Sequence, residues 1–566
     1  MSQRENRSQM DERTGGEAVV DALVRTGVEV VFGIPSVHNL PIYDAIRRDG
    51  RIRSVFVRHE QCAVGAADGF ARASGHLGVC VTSTGPGAAN AMGGQLEALS
   101  SSSPVLHLTG QIDSRFLGQR RGFIHEVPDQ LAMLASLSKV AHRPPSPDAV
   151  GATVERAAAE AMAFPRGPVS VEIPIDFQYA YASPTPAGRD PSLVSRSPGE
   201  AGAIVRAAEL MARARRPLVW AGGGAVAAGA DDELATLVRR LGAGLLTSPN
   251  GRGLVSEEDP CCIGNLSWDP DVRSLCCESD LLVAVGTRFQ GPNTENWKMA
   301  LPNKLVHIDV DPAVPGRNYP VEVAIVADAK LACAALLEEL DGLGAPGVLA
   351  DLDWTHRVAA VAKCARERLR ATLGPQKGLL DALARYIGAD TVVVKDATIP
   401  AYTWGNRLLP VRRTRTSIMP NGFAIGLGLP HAIGAAVGSK GAPVVLLVGD
   451  GGFLLSATEL ATVAQEDLPI VVVVFVDGAY GVVRNIQQSQ YGPWASFGVD
   501  LGRPDFCGLA AALGVAAETV ASVDDFASAL GRATSERRPY LLEVDLDAIG
   551  PMSLAYTGTS RPPERA

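Results

Sequence analysis

The sequence predicts an α/β protein of three doubly wound parallel-sheet domains. Three observations carry that prediction. The 566 residues suit three or four domains at roughly 100–200 residues each. Three stretches repeat one pattern: a short β-branched run, a Gly-rich turn, then an Ala-rich helical segment. Segments rich in Pro, Ser or Gly separate the three stretches.

The first domain is placed at 12–181, with strands at Val28–Phe32, Ser54–Val57, Gly78–Thr82, Val105–Thr109 and Val169–Ile173. A linker, Ala182–Pro198, follows it. The second domain is placed at 199–340, with strands at Pro217–Ala221, Leu281–Val285 and Leu305–Ile308. Leu340–Pro346 opens another linker, followed by a charged helical stretch near Trp354–Arg370. The third domain is placed at 376–550, with strands at Thr391–Lys395, Pro443–Val448, Ile470–Val476 and Tyr540–Val544. No short repeat is visible, and the first and third stretches share architecture only.

Composition removes several classes. Hydrophobic residues at 46% and charged residues at 20% describe a globular chain, not a disordered one. Gly (59) and Pro (38) are numerous, but no G-X-Y period makes them collagen. A net charge of −9 argues against a nucleic-acid or anionic-membrane partner, though not against an anionic small substrate. The longest apolar run without Gly is nine residues, Leu468–Val476, short of the roughly 20 that span a bilayer. The first residues are polar and lack the apolar core of a secretory signal, so a cytoplasmic location is expected. The nine Cys are an odd number, and Cys261/Cys262 and Cys276/Cys277 are adjacent pairs. Reduced thiols are expected, as buried small apolar residues with a metal site as the competing reading.

The strongest chemical signal lies in the third stretch. The strand Val444–Val448 runs into Gly449-Asp450-Gly451-Gly452. Glycines there let a diphosphate approach the backbone, and a helix expected at Thr458–Glu466 offers its N-terminus to the anion. Asp450 falls at the carboxyl end of its strand, where such sheets bind ligands. The next strand, Ile470–Val476, ends in Asp477-Gly478-Ala479-Tyr480-Gly481. The 27 residues from Asp450 to Asp477 fit strand–helix–strand and bring both carboxylates to one sheet edge. With a diphosphate they make oxygen ligands for Mg²⁺. A bare GDG, by contrast, is as often a plain turn.

This pattern resembles the thiamine-diphosphate enzymes of the acetolactate synthase, pyruvate decarboxylase and benzoylformate decarboxylase group. The resemblance makes the first domain pyrimidine-binding and the third diphosphate-binding. It implies a metal held by Asp450, Asp477 and the carbonyl of Ala479. The family usually has Asn where this chain has Asp477, which adds a negative charge beside the diphosphate. Gly449, Gly451, Gly452, Tyr480 and Gly481 complete the expected diphosphate contacts. In the first domain, Arg58-His59-Glu60-Gln61 places Glu60 after a strand, where taken alone it reads as a helix cap. By the resemblance, Glu60 hydrogen-bonds N1′ of the cofactor pyrimidine so that N4′ takes the C2 proton, which is acid–base work in a dry site. Thr84-Gly85-Pro86-Gly87-Ala88-Ala89-Asn90 resembles the family's cofactor loop, with Gly85, Pro86 and Asn90 as contacts. Asn421–Pro430 is a third match. Ile425 would wedge the cofactor into its V shape, and the Phe423 carbonyl would accept from the 4′-amino group. Taken alone, Ile425 reads as core.

In the middle stretch, Ala221–Gly224, Gly286–Phe289 and His307–Pro312 resemble the family's central domain. That domain holds FAD in acetolactate synthases and pyruvate oxidases and none in many decarboxylases. GTRF followed by QGPNTENW departs from the flavin-binding members, so FAD stays an open expectation.

The resemblance implies decarboxylation of a 2-oxo acid, after which a proton yields an aldehyde or a second 2-oxo acid yields an acetohydroxy acid. His38, in Gly33–His38, and His125, in Arg121–Glu126, are the candidate catalytic residues beside Glu60. Acetolactate synthases have Gln where His125 falls. GIPxVH with RGFxHE looks more like guanidino-oxopentanoate decarboxylases, and imidazoles are able to donate the final proton. Tyr480, Val483 and Arg484 begin the cover on the third-domain side. The family's sites join the first domain of one subunit to the third of its partner, which implies a homodimer or a dimer of dimers. Two other readings stay open: a flavin or nicotinamide oxidoreductase built on Gly222–Gly224, and a non-catalytic relative whose Asp477 has abolished the site.

Overall fold

The computed structural model describes residues 13–182, 196–344 and 347–557. Most of the Ala182–Pro198 linker, and Ala345–Pro346, lie outside the described residues. Within them are three six-stranded sheets, each wholly parallel. The first has the spatial order Arg53–Phe56, Val30–Gly33, Gly78–Thr82, Val105–Gln111, Val169–Pro174, Val140–His142. The third has the order Ser417–Ile418, Val392–Lys395, Val444–Gly449, Ile470–Val476, Tyr540–Asp545, Ala516–Val520. Counted along their own stretches, both run 2-1-3-4-6-5. The middle sheet runs 3-2-1-4-5-6: Cys262–Gly264, Gly244–Thr247, Pro217–Ala221, Leu281–Val285, Leu305–Asp309, Val323–Val326.

The inner strands are mostly buried, and largely apolar, because helices cover both faces. Ile470–Val476 is buried at every position, as is Val105–Gln111. The expected strands all appear, shifted by one or two residues at some ends. Five of the six sheet-edge strands, and the inner Gly244–Thr247, were not foreseen.

One expectation is corrected. The helix after the Gly-Asp-Gly turn begins at Asp450 itself and runs to Leu454. The segment expected as one helix at Thr458–Glu466 is a 3₁₀ turn, Ala457–Glu459, then a helix, Leu460–Gln465. Gly449 keeps extended geometry as the cap, so the chain turns into the helix at once.

The first and third domains share a core. The helix Glu60–Ser74 packs along the helix Gly428–Gly438. A Cβ on Gly434 would stand 1.8 Å from the Ala66 carbonyl oxygen, so only glycine permits this approach. At the same seam the fully buried His431 and Asp68 pair across the domains at 2.9 Å. Among the described residues no helix is long and apolar enough to cross a membrane.

Candidate active site

In a sheet of order 2-1-3-4, chain connections diverge on either side of strands 1 and 3, leaving a crevice at their carboxyl ends. In the third domain that crevice lies between the segments after Lys395 and Gly449. A cavity of about 690 Å³ opens there, lined by Thr398, Ile425, Gly449–Gly452, Asp477, Ala479–Arg484 and Pro551–Ala555, among others. Asp450 is buried and accepts from Gly451 N (2.8 Å) and Gly478 N (2.7 Å). Asp477 accepts from Ala479 N at 3.2 Å. Burial, then the charge of Asp450, pushes the Asp477 carboxyl up to about 6. Burial also raises Asp450. A buried carboxylate beside a half-buried one whose ionisation it opposes fits a hard divalent cation, which would favour the charged form of both.

Ile425 is 36% exposed and lines this cavity, while Ile433, on the helix that follows, is fully buried. Ile425 is therefore not core. Phe423, 50% exposed, holds a left-handed backbone at φ +59°.

The corresponding crevice of the first domain collects the other expected residues. His59, not Glu60, caps the helix: its Nδ1 accepts from Gln61 N at 3.2 Å. That frees Glu60, whose Oε2 accepts from Asn90 Nδ2 at 3.1 Å. Gly85, at φ +58°, caps the short helix Pro86–Asn90. Gly85 N and Thr84 Oγ1 both donate to Gln130 Oε1 at 2.7 Å. Gln130 in turn donates to the buried Glu172, which pairs with Arg143, so a polar network underlies the loop.

His38 and His125, 87 residues apart in sequence, meet with ring centroids 5.3 Å apart. The Nδ1 of each is buried with no hydrogen-bond partner among the described residues. Burial first, and His125 second, hold His38 below its ordinary range. Glu126 folds the loop by accepting from Gly122 N (2.8 Å) and Phe123 N (3.0 Å). Glu60, His38 and His125 are not among the residues lining the cavity at Asp450.

The central cleft beside Gly223, Gly224, Gly286 and Arg288 encloses about 130 Å³. That is below the roughly 300–1,000 Å³ of small-molecule pockets. The three glycines have a packing reason: a Cβ on Gly222 would lie 2.3 Å from the Gly286 carbonyl oxygen. Of the paired cysteines, Cys262 and Cys276 are buried, Cys261 is half-buried and Cys277 is exposed. Among the described residues no group of three or more His, Cys, Asp or Glu is arranged to hold a metal.

Sequence reading missed Gln376, Thr398, Tyr402 and the segment Pro551–Ala555 on the cavity wall. Thr398 was findable, since it follows a strand whose neighbour carries Asp450. The closing segment has no periodicity to betray it. Its Tyr556 stacks on Tyr402, with centroids 5.6 Å apart and rings inclined by 19°.

Comparison with known proteins agrees with this geometry. Residues 13–133 match the thiamine pyrophosphate enzyme N-terminal TPP binding domain, 204–336 its central domain, and 400–544 its C-terminal TPP binding domain. The chain is 33% identical over 564 residues to a protein of Methanocaldococcus jannaschii named as a probable acetolactate synthase large subunit, covering 96% of this chain and 94% of that one. It is 38% identical over 485 residues to a protein of Pseudomonas aeruginosa named as a probable 2-ketoarginine decarboxylase, covering 83% of each. An acetolactate synthase large subunit of Haemophilus influenzae is 31% identical and covers 95% of each chain. With all three regions matched in order and relatives aligned along nearly its whole length, the chain belongs to the thiamine pyrophosphate enzyme family and is a thiamine-diphosphate-dependent enzyme of the acetolactate synthase and decarboxylase type.

Proposed function

We propose that this enzyme decarboxylates a 2-oxo acid larger than pyruvate and releases the aldehyde, with Mg²⁺ as the second cofactor. The observation that carries the choice is the histidine pair, His38 with His125, held 5.3 Å apart beside the Gly85 loop. Imidazoles there supply the proton that ends the cycle as an aldehyde. The likeness to a protein named as a 2-ketoarginine decarboxylase supports the same outcome.

Thiamine diphosphate, when bound, supplies an acidic C2–H and an electron sink for the lost carboxylate. The protein's part is to bind, orient and move protons. Asp450, Asp477 and the carbonyl of Ala479 would hold Mg²⁺. Gly449, Gly451, Gly452, Tyr480 and Gly481 cradle the diphosphate. Glu60, steadied by Asn90, holds a proton at N1′, with Gly85 and Pro86 shaping the wall beside it. The Phe423 carbonyl would accept from the 4′-amino group, and Ile425 would pack against the cofactor. Tyr480, Val483 and Arg484 cover the third-domain side.

Glu60 does not line the cavity at Asp450, which supports a complete site that takes Glu60 from one subunit and Asp450 from its partner. The assembly is then a homodimer or a dimer of dimers. The test is product analysis by mass spectrometry over a panel of 2-oxo acids, from pyruvate to 5-guanidino-2-oxopentanoate. Aldehyde from a larger acid, with pyruvate poor, supports the reading. An acetohydroxy acid from pyruvate as the main product would overturn it in favour of a carboligase.

A further inference from the structure

The loop that carries Phe423 and Ile425 belongs to the third domain, yet the first domain holds it. Glu97, on the helix Met92–Ser101, is fully buried. Its Oε1 accepts from Asn421 N at 2.5 Å and its Oε2 accepts from Gly422 N at 2.9 Å. One carboxylate thus spans two successive backbone N–H groups, a charge-assisted bidentate grip that fixes the peptide planes on either side of Asn421. Ser101 Oγ donates to Glu97 Oε1 at 2.9 Å and steadies the carboxylate. The Asn421 side chain donates to Ser100 O at 2.7 Å, and Arg72 donates to Met419 O at 2.6 Å. On the far side of the loop, Asp396 accepts from Gly426 N and Gly428 N.

Phe423 stands between these two anchors in a left-handed backbone that a non-glycine residue adopts only when its surroundings impose it. A Cβ on Gly422 would meet Glu97 Oε2 at 3.0 Å, so the glycine lets the carboxylate close on the backbone. We propose that Glu97 is a positioning residue: its buried carboxylate imposes the strained turn at Phe423 and thereby sets the Phe423 carbonyl and the Ile425 side chain for catalysis. The proposal rests on the reading of those two groups as cofactor contacts. Nothing local in the sequence links Glu97 to them, since 324 residues separate Glu97 from Asn421.

The test is Glu97→Gln in the full-length protein. The substitution keeps shape but turns an NH₂ toward one of the two N–H groups. In the cofactor-free protein, amide hydrogen exchange over residues 419–424 should quicken by about tenfold or more, with the strand Val444–Gly449 unchanged. In the holoenzyme, deuterium exchange at C2 of bound thiamine diphosphate should slow by about 10- to 100-fold, while cofactor affinity changes by less than about threefold because the metal and diphosphate are held elsewhere. Ser101→Ala, which removes only the hydroxyl bracing Glu97, should move both readouts the same way by a smaller factor, and serves if the Gln variant does not fold. Unchanged amide exchange at 419–424 would overturn the clamp. Faster amide exchange with wild-type C2 exchange would overturn its role in positioning. If instead the wild-type protein shows no C2 exchange, the cofactor reading fails, and the amide measurement still decides the clamp.

Discussion

Glu60 is prepared as a lone carboxylate rather than as a cap. His59 takes the capping role, Asn90 holds one oxygen, and Gly87 leaves space beside the other. Glu60→Gln keeps a hydrogen bond but cannot relay a proton. C2 deuterium exchange and turnover should both fall by the roughly 10²–10⁴ of a lost acid–base group, with cofactor retention weakened only moderately. Exchange as fast as wild type would remove the role given to Glu60. The metal end has a separate signature. Asp477 is raised to about 6 by burial and by Asp450. A cation needs it ionised, so Mg²⁺ affinity should be full above pH 6 and weaken as pH falls through that value. Asp477→Asn cannot titrate there. Calorimetric Mg²⁺ titrations from pH 5 to 8 should show the step in wild type and lose it in the variant, which keeps activity within about tenfold, or 1.4 kcal/mol of barrier. A dead Asn variant beside an active Asp477→Ala would refute the second ligand.

Among the elements, the strand Val105–Gln111 carries a buried ionisable group that the chemistry does not use. His107 is fully buried, its Nε2 2.8 Å from Thr82 Oγ1, and burial pulls it down to about 4. The unfolded chain protonates this imidazole near the ordinary 6.5, so between the two values the unfolded state binds more protons. The contribution to stability is full above about 6.5 and is lost as pH falls toward 4. Between pH 7 and 5 wild type should lose about 2 kcal/mol more than His107→Gln in urea unfolding. Equal losses would show that His107 does not drive acid sensitivity. The helix Gly428–Gly438 is constrained by contact rather than charge. Gly434→Ala would set a methyl against the Ala66 carbonyl and should cost about 1–3 kcal/mol, read as a lowered Tm. An unchanged Tm would mean that the two helices part without penalty.

At the scale of the whole molecule, the first and third domains share one strand order, 2-1-3-4-6-5, and so place crevices at equivalent points. One crevice holds Glu60, His38 and His125, the other Asp450 and Asp477. In the proposed dimer, two equivalent sites would pair unlike crevices across subunits. Mixing inactive Glu60→Gln with inactive Asp450→Ala chains tests this directly. Half the redistributed dimers are mixed, each with one intact site, so activity should return to about a quarter of wild type. No recovery after verified subunit exchange would place each site within one chain. Sedimentation at nanomolar concentration is a second check, because a fully active monomer contradicts shared sites.

Most of the inner strands and the Gly449–Gly452 turn were legible in the sequence because both are local. A strand covered on two faces favours an apolar run, as in Ile470–Val476, and the Gly449–Gly452 turn needs its residues side by side. Edge strands such as Val140–His142 and Ala516–Val520 escaped because they are short and only partly buried, which dilutes the apolar signal. The helix start at Asp450 escaped because a five-residue helix has too few turns to show a period. By itself the sequence determined the fold class, the order of the domains and the identity of Glu60, Asp450 and Asp477 as candidates. Tertiary structure alone decided that His38 meets His125, that Glu97 grips the Phe423 loop, and that Pro551–Ala555 walls the cavity. Those contacts join residues distant in the chain, and a contact made by folding leaves no periodicity at either end of it.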